Sequence, residues 1–206
     1  MKVLLVNGSP HREGCIYTAL SEIAGVLESS GIGTEFYWIG NKSIQGCTGC
    51  GKCHEVGKCI LADGVNEFAE KIDEYDGFVF GSPVYYSGPD GQLCAFMDRL
   101  FYSNGKKFAG KVGAAIVNAR RSGTTAAFER LNQYFLISDM IVPGSQYWNA
   151  THGNSHEDVM KDEEGLQTMR RLGTNIAWIL KCIEAGREKG ITLPPREKQA
   201  RTSFIR

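Results

Sequence analysis

Apolar positions along the chain fall into two alternating patterns. Unbroken apolar runs at residues 2–6, 77–81 and 112–117 have the character of strands buried on both faces of a parallel sheet. Between them the spacing is helical: Leu20, Ile23, Ala24 and Leu27 share one face, as do Val65, Phe68, Ala69 and Ile72. Helices are predicted at 18–29, 65–72, 93–100 and 126–137, and a long one at 157–185 with a break or irregular start near Gly165. A second strand is expected at 34–39, after the turn at Gly31 and Gly33, and a fifth at 140–142 with 146–148. Residues 44–63 interrupt the alternation as a loop. This pattern predicts one α/β domain over 1–193, a parallel sheet with helices on both faces and right-handed crossovers. A polar tail, 194–206, follows Pro194-Pro195. Ligands of such sheets sit outside the carboxyl ends of the strands, where the strand order reverses. The loops after the first, third and fourth strands are therefore the expected seat of the chemistry.

Charge narrows the partners. Lys plus Arg and Asp plus Glu both total 23 in 206 residues, so there is no basic excess to favour nucleic acid or an anionic membrane. No run approaches the roughly 20 apolar residues that span a bilayer. The first apolar run breaks at Asn7-Gly8-Ser9-Pro10, which reads as a buried strand rather than a signal peptide, and a cytoplasmic protein is expected.

The loop after the first strand, Asn7-Gly8-Ser9-Pro10-His11-Arg12-Glu13-Gly14-Cys15-Ile16-Tyr17-Thr18, leads from strand to helix. Helix-start amides suit an anion, Ser9 and Thr18 offer hydroxyls, and His11 and Arg12 offer charge. Neither the P-loop spacing nor Gly-x-Gly-x-x-Gly is present, which points to a single phosphate such as that of FMN. An ordinary capped turn reads the same residues equally well. Pro83, Val84, Tyr85 and Tyr86 follow the third strand and offer backbone groups beside aromatic faces, as a flavin ring requires. Asn118, Ala119, Arg120, Arg121 and Gly123 follow the fourth; an arginine there could face a reduced ring or simply be solvated.

These residues carry a resemblance. Gly8-Ser9-Pro10 with Gly14, the Cys47, Cys50, Cys53 and Cys59 block, Gly81-Ser82-Pro83-Val84-Tyr85 and Asp98-Arg99 stand in the order found in flavodoxin-like proteins. The chain resembles their NAD(P)H-dependent FMN reductase and iron–sulfur flavoprotein branch. The resemblance implies a three-layer sandwich with strand order 2-1-3-4-5. It implies that Ser9, His11, Gly14, Cys15, Ile16 and Tyr17 surround the FMN phosphate. Pro83 to Tyr86 and Asn118 to Gly123 would border the ring. Ile16 departs from the pattern: it stands where related loops carry a hydroxyl, which leaves the phosphate to backbone amides, Ser9 and Thr18.

Of seven cysteines, Cys15, Cys94 and Cys182 are scattered and read as packing residues. Cys47-x-x-Cys50-x-x-Cys53 with Cys59 can hold a four-iron four-sulfur cluster. Tetrahedral zinc and a metal-free thiol loop remain open alternatives. The leading functional expectation is an enzyme in which NAD(P)H reduces FMN, and FMN reduces a quinone, free flavin, nitro or azo compound, or metal ion. The alternative is an electron carrier fed by ferredoxin; a flavin-binding regulatory module is a third reading. No catalytic acid or base is singled out. Tyr147, Trp148, Phe204 and Ile205 put apolar groups where a lone domain would struggle to bury them, so a homodimer or homotetramer is expected.

Overall fold

The computed structural model describes residues 1–198, 200, 202 and 204. Ile205 and Arg206, with which the tail ends, lie outside the described residues. The strands are β1 (Lys2–Asn7), β2 (Gly33–Trp38), β3 (Gly77–Tyr85), β4 (Gly88–Pro89), β5 (Val112–Ala119) and β6 (Ala150–His152). Parallel pairing gives the order β2-β1-β3-β5-β6, while β4 folds back antiparallel on the end of β3. Setting that short return aside, the order is the expected 2-1-3-4-5 of a flavodoxin-like sheet.

Alternation along each strand builds two cores. Val3, Leu5, Val79, Ala114 and Ile116 face α1 (Cys15–Ser29) and α7 (Glu163–Glu188). Leu4, Val6, Phe78, Phe80, Ala115 and Val117 face α3 (Gly64–Lys71), α4 (Gly91–Asn104) and α5 (Thr124–Ile137). This second core is aromatic: Phe80 lies 5.9 Å from Phe101 and 5.6 Å from Phe135, ring centre to ring centre. Each such side chain, once buried, contributes roughly 1.5–3 kcal/mol. Among the described residues, no helix is long and apolar enough to cross a membrane.

The sequence placed several boundaries differently. The fifth strand is not at 140–142 and 146–148. Ile141 makes one bridge to Val112, and Pro143, lacking an N–H, ends the pairing. The chain bulges outward, exposing Tyr147 and Trp148, and the ladder resumes only at β6, which pairs with Val117 to Ala119. Across the gap the Asn149 side-chain amide donates to the Ala115 carbonyl at 3.1 Å. The long last helix is two helices, α6 (His156–Val159) and α7, and the break falls at 160–162 rather than at Gly165. Asp162 makes the break: its carboxylate accepts from Gly165 N at 3.0 Å and from His152 N at 2.6 Å. Helix α1 starts at Cys15, earlier than 18, and β3 and β5 run on through 82–85 and 118–119. Residues 44–63 are a loop carrying one helical turn, α2 (Cys53–Val56).

At the end of β1 the backbone closes tightly on β3. Gly8 N donates to the Gly81 carbonyl at 2.9 Å. A Cβ at Gly8 would lie 2.6 Å from a Leu93 methyl and 2.8 Å from that carbonyl oxygen. Gly8→Ala is therefore expected to destabilise the protein by about 1–3 kcal/mol through overpacking. Urea unfolding, with an unchanged slope and a lowered midpoint, checks this.

Candidate functional site: the strand-end cleft and the cysteine pocket

Three segments meet at the carboxyl ends of β1, β3 and β5, which are neighbours in the sheet. The first folds around Asn7, which is 2 % exposed. Its Oδ1 accepts from Ser9 N at 2.9 Å, and its Nδ2 donates to the carbonyls of Arg12 at 2.9 Å and His11 at 3.3 Å. Ser9 Oγ accepts from His11 N at 3.1 Å, and Trp38, at the end of β2, donates from Nε1 to the Ser9 carbonyl at 2.8 Å. Carbonyls are drawn inward, and the chain enters α1 through Gly14, which has no side chain to cap the helix. The first turn of α1 carries no acidic residue. Uncapped amides and an unopposed helix dipole make this end receptive to an anion. His11 and Arg12 are exposed beside it.

Not every expected phosphate ligand can serve through its side chain. Ile16 is 1 % exposed and packs beneath Gly81, where a Cβ would lie 2.5 Å from its Cγ2. It is a core residue and brings only its amide. Thr18 is buried; its hydroxyl donates to the Gly14 carbonyl at 3.1 Å and lies 2.6 Å from His156 Nδ1. Its one proton goes to Gly14 or to His156, according to the imidazole tautomer, and either way none is left to donate to a phosphate. The Cys15 thiol is turned to the Gly153 carbonyl, 3.8 Å away, and burial pushes its pKa up. Ser9 and Gly14 stay at the loop, and Tyr17, in the first turn of α1, sets its ring 5.0 Å from that of Phe36.

The second segment is a hairpin rather than an open loop. Pro83, Val84 and Tyr85 are strand residues, and Tyr86 and Ser87 turn with φ of 49° and 61°. Two consecutive positive φ values match the right-handed strand twist of a tight hairpin, but a tyrosine there is strained. Tyr86 is fully exposed at the tip. Ser82 Oγ accepts from Asp90 N at 2.8 Å, and Asp90 then caps α4 through Leu93 N at 2.9 Å.

The third segment turns at Gly123, with φ of 90°, where a Cβ would come within 2.8 Å of Ser87 Cα. The hairpin and the arginine loop therefore touch. Arg120 and Arg121 are exposed at this junction. Asn118 and Ala119 are not loop residues: both are buried in β5. Asn118 donates to the Gly153 carbonyl at 3.0 Å and accepts from Thr151 at 3.0 Å, which spends its side chain on β6.

The four cysteines line one small pocket with Thr48, Gly51, Ile60, Leu61, Arg99, Tyr102 and Ser103. Gly49 and Gly51, with φ of 66° and 70°, turn the chain so that Cys47, Cys50 and Cys53 follow one rim. All seven thiols are free. Burial first, and then the negative charge of the other sulfurs, push the Cys53 thiol up, while hydrogen bonds from the Lys52 amide and Thr48 hold the exposed Cys50 thiol down. Among the described residues, no three His, Cys, Asp or Glu side chains converge closely enough to hold a single metal ion.

The profile of the family described as NADPH-dependent FMN reductase matches residues 1–155, from β1 through β6. The chain belongs to this family. Its relatives include an iron–sulfur flavoprotein of Methanocaldococcus jannaschii, 35 % identical over 192 residues, covering 89 % of this chain and all of that one. An iron–sulfur flavoprotein of Methanosarcina thermophila is 28 % identical over 195 residues, covering 92 % of this chain and all of the relative. The solved structure of a flavodoxin from the domain Archaea superposes with a TM-score of 0.59 at 19 % identity, over 88 % of this chain and 99 % of that one, and shows the shared fold. All three strand-end segments and the cysteine block lie inside the family's matched region. His156, which takes up the Thr18 hydroxyl, lies just outside it.

Sequence reasoning did not assign Asn7, Trp38 or His156. Asn7 and Trp38 end the adjacent strands β1 and β2, where the strand-end rule would have found them; His156 is 138 residues from its partner and left no local signal. Asn7→Ala removes three hydrogen bonds from a buried turn. It should cost about 1–3 kcal/mol and speed hydrogen exchange at Ser9 and His11, measured on the ligand-free protein.

Proposed function

We propose that this protein binds FMN across the three strand-end segments and works as an NAD(P)H-dependent oxidoreductase for a small acceptor such as a quinone, flavin, nitro or azo compound, or metal ion. The observation that carries the reading is the uncapped, acid-free start of α1 beside His11 and Arg12, set next to the hairpin and the arginine loop. Bound FMN supplies hydride and electron-transfer chemistry that no side chain can. The α1 amides would hold its phosphate, Pro83 to Tyr86 would flank its ring, and the exposed arginines would stand near the ring's polar edge. Free thiols throughout suit the reducing cytoplasm in which we place this activity.

We further infer that the cysteine pocket holds a four-iron four-sulfur cluster. A zinc ion draws four sulfurs to about 2.3 Å from one point, whereas a cubane takes one thiolate on each iron and keeps its ligands apart. Four cysteines lining one pocket, in a chain similar along most of its length to proteins named iron–sulfur flavoproteins, favour the second arrangement. Cys47 and Cys50 are exposed, which favours a second route for electrons, from a reduced ferredoxin through the cluster. Anaerobic mixing decides between them: bleaching of the flavin by NAD(P)H alone supports the reductase, and bleaching only by reduced ferredoxin supports the carrier.

If the phosphate site is right, FMN should bind at least about tenfold more tightly than riboflavin, since charge-assisted bonds to phosphate contribute roughly 1.5–3 kcal/mol each. Equal affinities in a fluorescence titration would remove this site. Arg120→Met or Arg121→Met should lower the flavin midpoint. Both side chains are exposed, so screening holds the effect to roughly 0.2–1 kcal/mol, about 5–20 mV for two electrons. Potentiometry on each variant reads it.

The proposal includes self-association. Tyr147, Trp148 and Trp178 are 60 %, 49 % and 66 % exposed, an unusual apolar display for a lone domain. A monomeric mass by light scattering at micromolar concentration would argue against it.

A further inference from the structure

The Asp98-Arg99 pair on α4 is not used by the strand-end cleft. Arg99 has a side chain only 1 % exposed, and among the described residues it is the bulkiest that is fully buried. Its guanidinium spends every N–H on the cysteine loop. Nε donates to Cys59 Sγ at 3.3 Å. Nη1 donates to the Gln45 carbonyl at 3.2 Å and to Asp63 Oδ2 at 2.6 Å. Nη2 donates to the Leu61 carbonyl at 3.2 Å and to Asp63 Oδ1 at 2.9 Å. Five donors meet five acceptors, and all the acceptors lie in segment 45–63.

Asp63 is 33 % exposed, but Arg99 is buried, and burying a cation is a costly way to fill a core position that an apolar residue of similar volume commonly fills as well or better. What an apolar residue cannot do is reach both ends of a loop at once. Gln45 precedes Cys47, and Leu61 follows Cys59, so the guanidinium bridges the neck of the cysteine loop. From the other side, Asn66 on α3 accepts from Cys59 N at 3.2 Å and donates to the carbonyls of Cys59 at 2.8 Å and Leu61 at 3.0 Å. Cys59 thus has its backbone held by Asn66 and its sulfur held by Arg99. Cys47 and Cys50 are exposed. Arginine stays protonated in proteins, and here the Asp63 carboxylate is paired with it.

We propose that Arg99 is the positioning residue of the cysteine pocket: it clamps the neck of loop 45–63, presents the Cys59 sulfur as a preformed ligand, and sets a buried positive charge against that sulfur. The clamp stands on the ligand-free geometry. The electrical consequence rests on the cluster reading above. Reduction adds negative charge to a thiolate-bound site, and a contacting cation with a hydrogen bond to sulfur favours that state.

Three variants test this in the full chain. Arg99→Lys keeps the charge and loses the fork, Arg99→Met loses both, and Arg99→Met with Asp63→Asn removes the pair together in case the single change leaves the chain unfolded. Hydrogen exchange without added metal reads the clamp. Amides of 45–63 should exchange at least about tenfold faster in all three, while β5 stays protected. Unchanged exchange in Arg99→Lys and in the folded Met variant overturns the clamp. After anaerobic loading with iron and sulfide, the cluster midpoint, followed by electron paramagnetic resonance, reads the charge. It should hold in Arg99→Lys and fall in the Met variants by about tenfold in the reduction equilibrium, roughly 59 mV for one electron. An unmoved midpoint overturns the electrical role. A wild-type chain that takes up no iron or sulfide overturns the cluster reading and the electrical role with it, and the exchange data still decide the clamp.

Discussion

The strand-end cleft depends on two backbones being allowed to touch. Gly8 and Gly81 meet through a 2.9 Å hydrogen bond at a point where neither has room for a Cβ. Leu93 of α4 closes over one glycine and Ile16 of α1 over the other. The helices of both faces are therefore brought to bear on the same contact. The turn around Asn7 starts immediately after it, and the hairpin starts immediately after its partner. A side chain at either position would separate the segments that together form the cleft.

This contact also accounts for what could and could not be read along the chain. The buried strands announce themselves as apolar runs, and their carboxyl ends lead directly to the glycine-rich loops. The last strand does not. Met140 to Val142 look more strand-like than Ala150-Thr151-His152, yet Pro143 breaks the former, and the latter pairs through its backbone at a sheet edge that demands little apolar character. Within the site, Ile16 looked like a missing hydroxyl; it is the packing partner that Gly81 requires. Thr18 and Asn118 looked available, but their partners, His156 and Gly153, stand 138 and 35 residues away. Side-chain capture of that kind leaves no trace in local spacing.

Helix α4 joins the two candidate centres into one unit. It begins at Asp90, whose amide is held by Ser82 behind the hairpin, and it carries Arg99 at the wall of the cysteine pocket. At 1.5 Å per residue, Gly91 and Arg99 are about 12 Å apart along the axis. A helix capped by Asp90 over that span sets the spacing between the hairpin's return and the guanidinium that holds Cys59. Gln92 adds a second tie, donating to the Gly40 carbonyl at 2.9 Å where the chain leaves β2 for the cysteine loop.

The interrupted last strand has a consequence for how the molecule behaves in a crowd. Where the chain bulges away from β5, the sheet would show a stretch of unsatisfied backbone, the usual invitation to cross-β aggregation. Asn149 occupies that gap with its amide on Ala115, and its own Oδ1 is taken by Ser145 at 2.7 Å. One rung of the interrupted ladder is supplied by a side chain in place of a strand. A second polypeptide meets that carbonyl already bonded, so the gap offers less ladder to extend in a protein of zero net charge, where self-repulsion gives little protection.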